Sequence, residues 1–318
     1  MNTGNVKDRP LFILAIDHRV DFLRELIGAQ DGPPTAAERE RAAQLKQVAY
    51  EGLVKAIEQG LPKSNAGIWT DTDLGEAVLL RARQMSLATA FSVEIARSDS
   101  LRLETVADIP STASRFGARF VAVRVPYVAN IEKDAKDARD SALHLLSKTC
   151  SSENLKLMVE PVLIPPDGDL NGTQEITGWA ETRPLLTLQA ITELQNAGVE
   201  PSAWVVEPPP NARAAATLSG QVHIDDRNLV SIFFSCGRDP GILRSGKQTR
   251  SIEKAVVKRA AKTLGVGGLL VGPGAYFRPL ALYNSGETDR TAAITAIAEY
   301  VQHLNEIFSD TRRTVGVS

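Results

Sequence analysis

The residues of this chain best suited to chemistry stand at the ends of apolar runs. The first run, Leu11 to Ile16, stops at Asp17-His18-Arg19, placing a carboxylate, an imidazole and a guanidinium within one turn of each other. Other runs close in the same way. Asp71 and Asp73 follow Ala66 to Thr70, Glu94 follows the run from Leu87, Arg124 lies in Phe120 to Val125, and Glu160 and Glu207 end the runs from Leu155 and Trp204. Charge is costly to bury unless paired, so repeated apolar-to-ionisable transitions point to one shared mouth rather than scattered decoration. Asp17, His18 and Glu160 are the candidate proton carriers, and Arg19, Arg124 and Arg238 the candidate anion holders. Ser235 to Gly241 and Val271 to Tyr276 carry Gly237, Gly272 and Gly274, whose bare N–H groups suit a phosphate, although Pro273 removes one donor. The carboxylates of Asp17, Asp71, Asp73, Glu94 and Glu207 are an oxygen-rich set that would favour magnesium or manganese over zinc. A ring of structural salt bridges, with Asp17 as a helix cap, is the competing reading.

These ends must be brought together by the elements between them. Strand-like segments fall at Leu11 to Ile16, Ala66 to Thr70, Leu87 to Glu94, Phe120 to Val125, Leu155 to Glu160, Trp204 to Glu207, Val230 to Ser235 and Gly268 to Gly272. Helical periodicity covers Ala36 to Gln59, a stretch ending at Met85, Lys133 to Thr149, Pro184 to Ala197, Ser251 to Leu264 and Arg290 to Phe308, with a frayed tail expected from Ser309. Every strand but the last is joined to the next by a stretch long enough for a right-handed crossover. That is the pattern of a single (β/α)8 TIM barrel over residues 1–318, with its core at about 11–308. An open doubly wound sheet would call for a GxGxxG turn after its first strand, and none is present. The polar stretch from Gly168 to Glu181, containing Trp179, is long enough for a lid. His144 and His303 fall in helical patterns and His223 in a polar loop, where packing roles are expected.

Composition narrows the classes. The 318 residues are 43% hydrophobic and 23% charged, and 36 basic against 38 acidic residues leave a net charge of -2. Such a balance offers no general attraction to nucleic acid or anionic membranes, so a small molecule is the expected partner. The absence of a long apolar run or hydrophobic signal core leads to a cytoplasmic expectation. Cys150 and Cys236 lack metal-knuckle spacing. A homo-oligomer, associating through outer helices, is a further expectation.

Several segments together carry a resemblance. Asp17-His18-Arg19, Ala66-Gly67-Ile68 with Asp73-Leu74-Gly75, Glu160 to Pro165, Arg183-Pro184-Leu185, Glu193 to Trp204 and Gly237-Arg238 resemble the bacterial aldolase-like domain found fused to 5-dehydro-2-deoxygluconokinase in myo-inositol breakdown. That domain is in turn similar to the class I tagatose-bisphosphate and sulfofructose-phosphate aldolases. The resemblance runs from about Leu11 to Phe308 and is most specific from Gly198 to Trp204. It implies a barrel that makes or breaks a carbon–carbon bond in a phosphorylated ketose or keto acid.

One departure changes the expected chemistry. Where the family carries a lysine after the strand-six tryptophan, resembling the Schiff-base lysine of class I aldolases, Val205 follows Trp204 here. Valine forms no imine, and no other lysine has a clear claim: Lys156 and Lys63 both fall toward the barrel floor. The family's strand-eight Gly-Arg is Gly272-Pro273. Three readings follow: an aldolase-like lyase or isomerase working by acid–base chemistry, with or without a divalent ion; a conventional class I aldolase with a relocated lysine; or a non-catalytic barrel that binds a sugar phosphate.

Overall fold

The computed structural model describes residues 9–17, 22–29, 33–95, 101–164, 179–237 and 250–315, with the backbone alone described for 179, 180 and 250–252. Eight short runs rich in Val, Ile, Leu and Ala form the strands: β1 (Leu11–Ala15), β2 (Ala66–Thr70), β3 (Ala88–Ser92), β4 (Phe120–Tyr127), β5 (Lys156–Leu163), β6 (Ala203–Val206), β7 (Ser231–Cys236) and β8 (Val266–Val271). All pair in parallel with their sequence neighbours. β1 also pairs with β8, Leu14 opposite Val271, which closes the barrel. At that seam Gly268 has φ +151°, and a Cβ there would lie 1.9 Å from the Leu11 carbonyl oxygen, so only glycine fits. The chain is a (β/α)8 TIM barrel, as the spacing predicts.

Alternation along the strands separates two cores. Leu11, Ile13, Ala15, Trp69, Ala90, Phe120, Ala122, Met158, Ala203, Val205, Phe233 and Leu270 form a cluster made only of strand residues, which is the barrel interior. The opposite parity, including Phe12, Leu14, Ile68, Val123, Val159, Trp204 and Phe234, joins helix residues in the wall.

The outer helices are α1 (Ala36–Glu58), α2 (Glu76–Gln84), α3 (Ile109–Phe116), α4 (Lys133–Ser152), α5 (Trp179–Asn196), α6 (Ala212–Val222), α7 (Arg250–Lys262), α8 (Phe277–Ser285) and α9 (Arg290–Val315). α1 begins in a capping box: Glu38 N–H donates to the Thr35 hydroxyl at 3.2 Å, and Thr35 N–H donates to the Glu38 carboxylate at 2.7 Å. The structure differs from the sequence expectation at three places. α5 starts at Trp179, with Pro184 inside the helix instead of at its start. The short helices α3, α6 and α8 have no counterpart in the sequence reading, because runs of eight to eleven residues fall short of the roughly 11–18 residues over which helical periodicity declares itself. The tail expected to fray after Phe308 remains helical to Val315. Phe308 and Thr311 are buried there, and Arg312 lies over the Phe308 ring while donating to the Val266 carbonyl at 2.6 Å.

Candidate active site

Interior parity carries polar side chains upward from the apolar cluster at the carboxyl ends of the strands. Arg124 follows Phe120 and Ala122 on β4, Glu160 follows Met158 on β5, Ser92 follows Ala90 on β3, and Asp17 lies beyond Ala15 of β1. They meet around the Arg124 guanidinium. Its Nη1 lies 2.5 Å from Asp17 Oδ2, and its Nε donates to Glu160 Oε2 at 2.9 Å. The Arg124 backbone N–H donates to Glu94 Oε2 at 3.3 Å. Below the guanidinium lies the Trp69 ring, with its centroid 4.9 Å away. The Trp69 indole N–H donates to Ser92 Oγ at 2.9 Å, and Ser92 in turn donates to Asp17 Oδ2 at 3.2 Å. Asp17 and Glu160 are 4% and 2% exposed.

The electrostatics of this cluster are dominated by Arg124. Burial works to lower its pKa, but the charges of Asp17, Glu160 and Glu94, together with the hydrogen bond to Glu160, outweigh burial and hold it above the ordinary arginine value. The guanidinium is therefore a fixed cation with two carboxylates attached. Its third nitrogen, Nη2, is buried and has no hydrogen-bond partner among the described residues. A buried N–H on a permanent cation, left open beside two carboxylates, can donate to an oxygen of a bound molecule.

The remaining candidates separate by element. Asp71 is fully buried, but it pairs with Lys46 of α1 and accepts from the Leu74 N–H at 2.6 Å. Asp73 takes the two guanidinium nitrogens of Arg39 at the surface, and Glu207 pairs with Arg183 of α5. Only Asp17 and Glu94 of the five carboxylates considered for a divalent ion reach the Arg124 cluster. No group of three or more metal-ligating side chains is formed among the described residues.

The glycine loops also differ from the phosphate-cup expectation. Gly272 N–H donates to the Cys236 carbonyl at 2.7 Å, and Gly274 N–H donates to the Gly237 carbonyl at 2.7 Å. These two donors join the β7 and β8 loops to each other. His18, Arg19 and Arg238, and the lid stretch as far as residue 178, lie outside the described residues.

Val205 faces the barrel interior, fully buried in the cluster with Met158, Ala203, Phe233 and Leu270. Valine is inert toward a carbonyl, so this interior position offers no imine-forming group. Lys156 precedes Met158 on the same parity, at the opposite end of the strand from Glu160. Sequence reading missed two contributors. Ser92 had a legible signal, since it shares the parity of Glu94, two residues past the end of β3. Lys46 falls on the spacing Ala42, Lys46, Ala49 and Leu53, the buried stripe of α1, where a lone lysine requires a buried partner.

A family model described as "Uncharacterized protein conserved in bacteria (DUF2090)" matches residues 2–312. No curated protein matches the chain by sequence. Among solved structures, the chain is similar to Cgl0159 from Corynebacterium glutamicum (TM-score 0.54, 14% identity, covering 94% of this chain and 91% of that one). It is also similar to the fructose-bisphosphate aldolase from Slackia heliotrinireducens (TM-score 0.53, 11% identity, 92% and 86% covered). A third likeness is to an archaeal fructose-1,6-bisphosphate aldolase whose catalytic lysine carries the carbinolamine intermediate (TM-score 0.52, 13% identity, 94% and 93% covered). At these identities the likenesses concern the fold alone.

Proposed function

The chain belongs to the bacterial family DUF2090, and from that premise and the geometry of the barrel mouth we propose that it is an aldolase-like carbon–carbon lyase or isomerase that works without an imine. Its substrate would be a phosphorylated ketose or keto acid. The observation that carries this reading is the buried, open Nη2 of Arg124, whose Nη1 and Nε are held by Asp17 and Glu160. Breaking a carbon–carbon bond next to a carbonyl leaves an electron pair that moves onto the carbonyl oxygen. In place of the iminium of a class I aldolase, Arg124 Nη2 donates to that oxygen as its charge develops. A carboxylate, Glu160, takes the proton from the hydroxyl that becomes the new carbonyl, and the same proton or one from solvent returns to the enolate carbon. Asp17 holds the guanidinium in register from the other side. His18 is the second proton carrier in this scheme, and Arg19 and Arg238 grip the anionic end. The resemblance to the kinase-fused aldolase-like domain of inositol breakdown makes inositol-derived keto acids the first substrates to offer.

The lack of a lysine at Val205 favours a second reading, a barrel that binds a sugar phosphate without turnover.

One experiment separates them. The pure protein is incubated with ketose phosphates and inositol-derived keto acids, with and without borohydride, and both product and intact mass are followed. Turnover with no trapped adduct is expected. Arg124→Lys, which keeps a charge but cannot serve Asp17, Glu160 and substrate together, should lower kcat by about 100-fold or more, the scale of one lost oxyanion donor. A borohydride adduct would sink the imine-free mechanism. Binding without turnover would leave the non-catalytic barrel.

A further inference from the structure

On the outside of the barrel, apart from the Arg124 cluster, a groove of about 660 Å³ runs between α6 and α7. One wall is a row of small residues on α6, Ala212, Ala216 and Gly220; the other carries Lys258, Arg259 and Lys262 of α7. Leu264, 83% exposed, lies at its edge. We propose that this groove docks an acidic amphipathic helix of another polypeptide. Carboxylates spaced four residues apart would meet the lysine row, while a small apolar face seats on the Ala-Ala-Gly row.

Two independent features point to an external occupant. First, Gly220 is a helical residue whose absent Cβ serves no contact in this chain: a Cβ built there meets nothing within 4 Å. It does not cap α6 either, since the helix ends at His223 with φ -97°. A glycine inside a helix costs about 1 kcal/mol relative to alanine, and close approach by another backbone is the use that a bare position on a groove wall allows. Second, Lys254, Lys258 and Lys262 are exposed and stand at i, i+4 and i+8 on one face of α7. None of them enters an ion pair among the described residues. Like charges at this spacing repel one another along the helix, a repulsion that facing anions would relieve, although Lys262 in the last turn also suits the helix C-terminus. Arg259, between them, is already held by the Pro209 carbonyl.

The geometry also selects among occupants. Four helical residues advance about 6 Å, so the lysines form a line rather than a convergent cup. A line matches successive carboxylates on a helix better than a single phosphate. A second copy meeting this face across a two-fold axis would set one basic face against the other, which is repulsive.

The test uses the full chain and a fluorescein-labelled acidic helical peptide, with Glu at i, i+4 and i+8 and Ala and Leu on the opposite face. Anisotropy is read at low and high salt against wild type, Lys258→Glu/Lys262→Glu and Gly220→Phe. The expected result is salt-sensitive binding that each variant weakens by about tenfold or more, equivalent to about 1.4 kcal/mol, with unchanged circular dichroism and barrel-mouth ligand binding. Gly220→Phe fills the groove from a position with no neighbours to displace, so it separates blocking from unfolding. No binding by wild type, equal binding by Gly220→Phe, or equal binding of a Lys-for-Glu peptide would overturn the proposal. So would complete competition by inorganic pyrophosphate at matched ionic strength, which would make the site a small-anion site. Self-association in sedimentation that Gly220→Phe abolishes would likewise overturn it and assign the groove to a second copy.

Discussion

Arg124 makes the strongest single commitment in the molecule. Its side chain serves two buried carboxylates at once, so removing it takes an ion-pair partner from both. Arg124→Met should therefore destabilise the protein by about 3–5 kcal/mol in denaturant unfolding, and adding Asp17→Asn with Glu160→Gln should recover part of that loss. A simple deletion of packing would show no such recovery. Lys156 yields a prediction of a different kind. Burial foremost, then the charge of Arg119, lowers its pKa. Between that lowered value and the ordinary lysine value the unfolded chain binds more protons than the folded one. Stability therefore rises with pH through this interval, and the full penalty is present below it. Urea unfolding from neutral to alkaline pH should show this rise in wild type and lose it in Lys156→Met.

At the scale of elements, the decisive contact is between α1 and the loops after β1 and β2. Lys46, fully buried, donates to the Ile16 carbonyl at 2.5 Å and pairs with Asp71, which in turn accepts the Leu74 N–H. The residue after Ile16 is Asp17, so a helix on the outside sets the backbone that presents a carboxylate inside. Lys46→Met alone leaves Asp71 buried without its cation and should cost about 3–5 kcal/mol, whereas Lys46→Met with Asp71→Asn should cost less than the single change. Unfolding midpoints of the three proteins check this; a double mutant less stable than Lys46→Met would refute it. The strands and the long helices were legible in the chain because apolar runs of β-branched residues and long amphipathic periods are local signals. The short helices α3, α6 and α8 were not, because eight to eleven residues make only about two or three turns, too few to repeat a helical period and stable only through what they lie against.

At the scale of the whole molecule, both thiols report on cooperativity. Cys150 in α4 and Cys236 at the end of β7 are buried, and burial pushes the Cys150 thiol up to about 12 and raises that of Cys236 as well. Neither should react with a thiol reagent in native protein. If the barrel unfolds as one unit, both should become reactive together at the same denaturant concentration; labelling of one well before the other would mean two units. Among the described residues no helix is long and apolar enough to cross a membrane.

Sequence alone determined the barrel, since eight apolar runs with crossover-length connections leave few other closed arrangements. It also determined that valine, which forms no imine, follows the strand-six Trp204. Tertiary structure decided what each charged strand end does. Asp17, Asp71, Asp73, Glu94, Glu160 and Glu207 look alike as carboxylates after apolar runs, yet three meet at Arg124 and the others are tied to Lys46, Arg39 and Arg183. A carboxylate's role depends on the cation that reaches it, and that cation arrives from a part of the chain that local sequence does not specify.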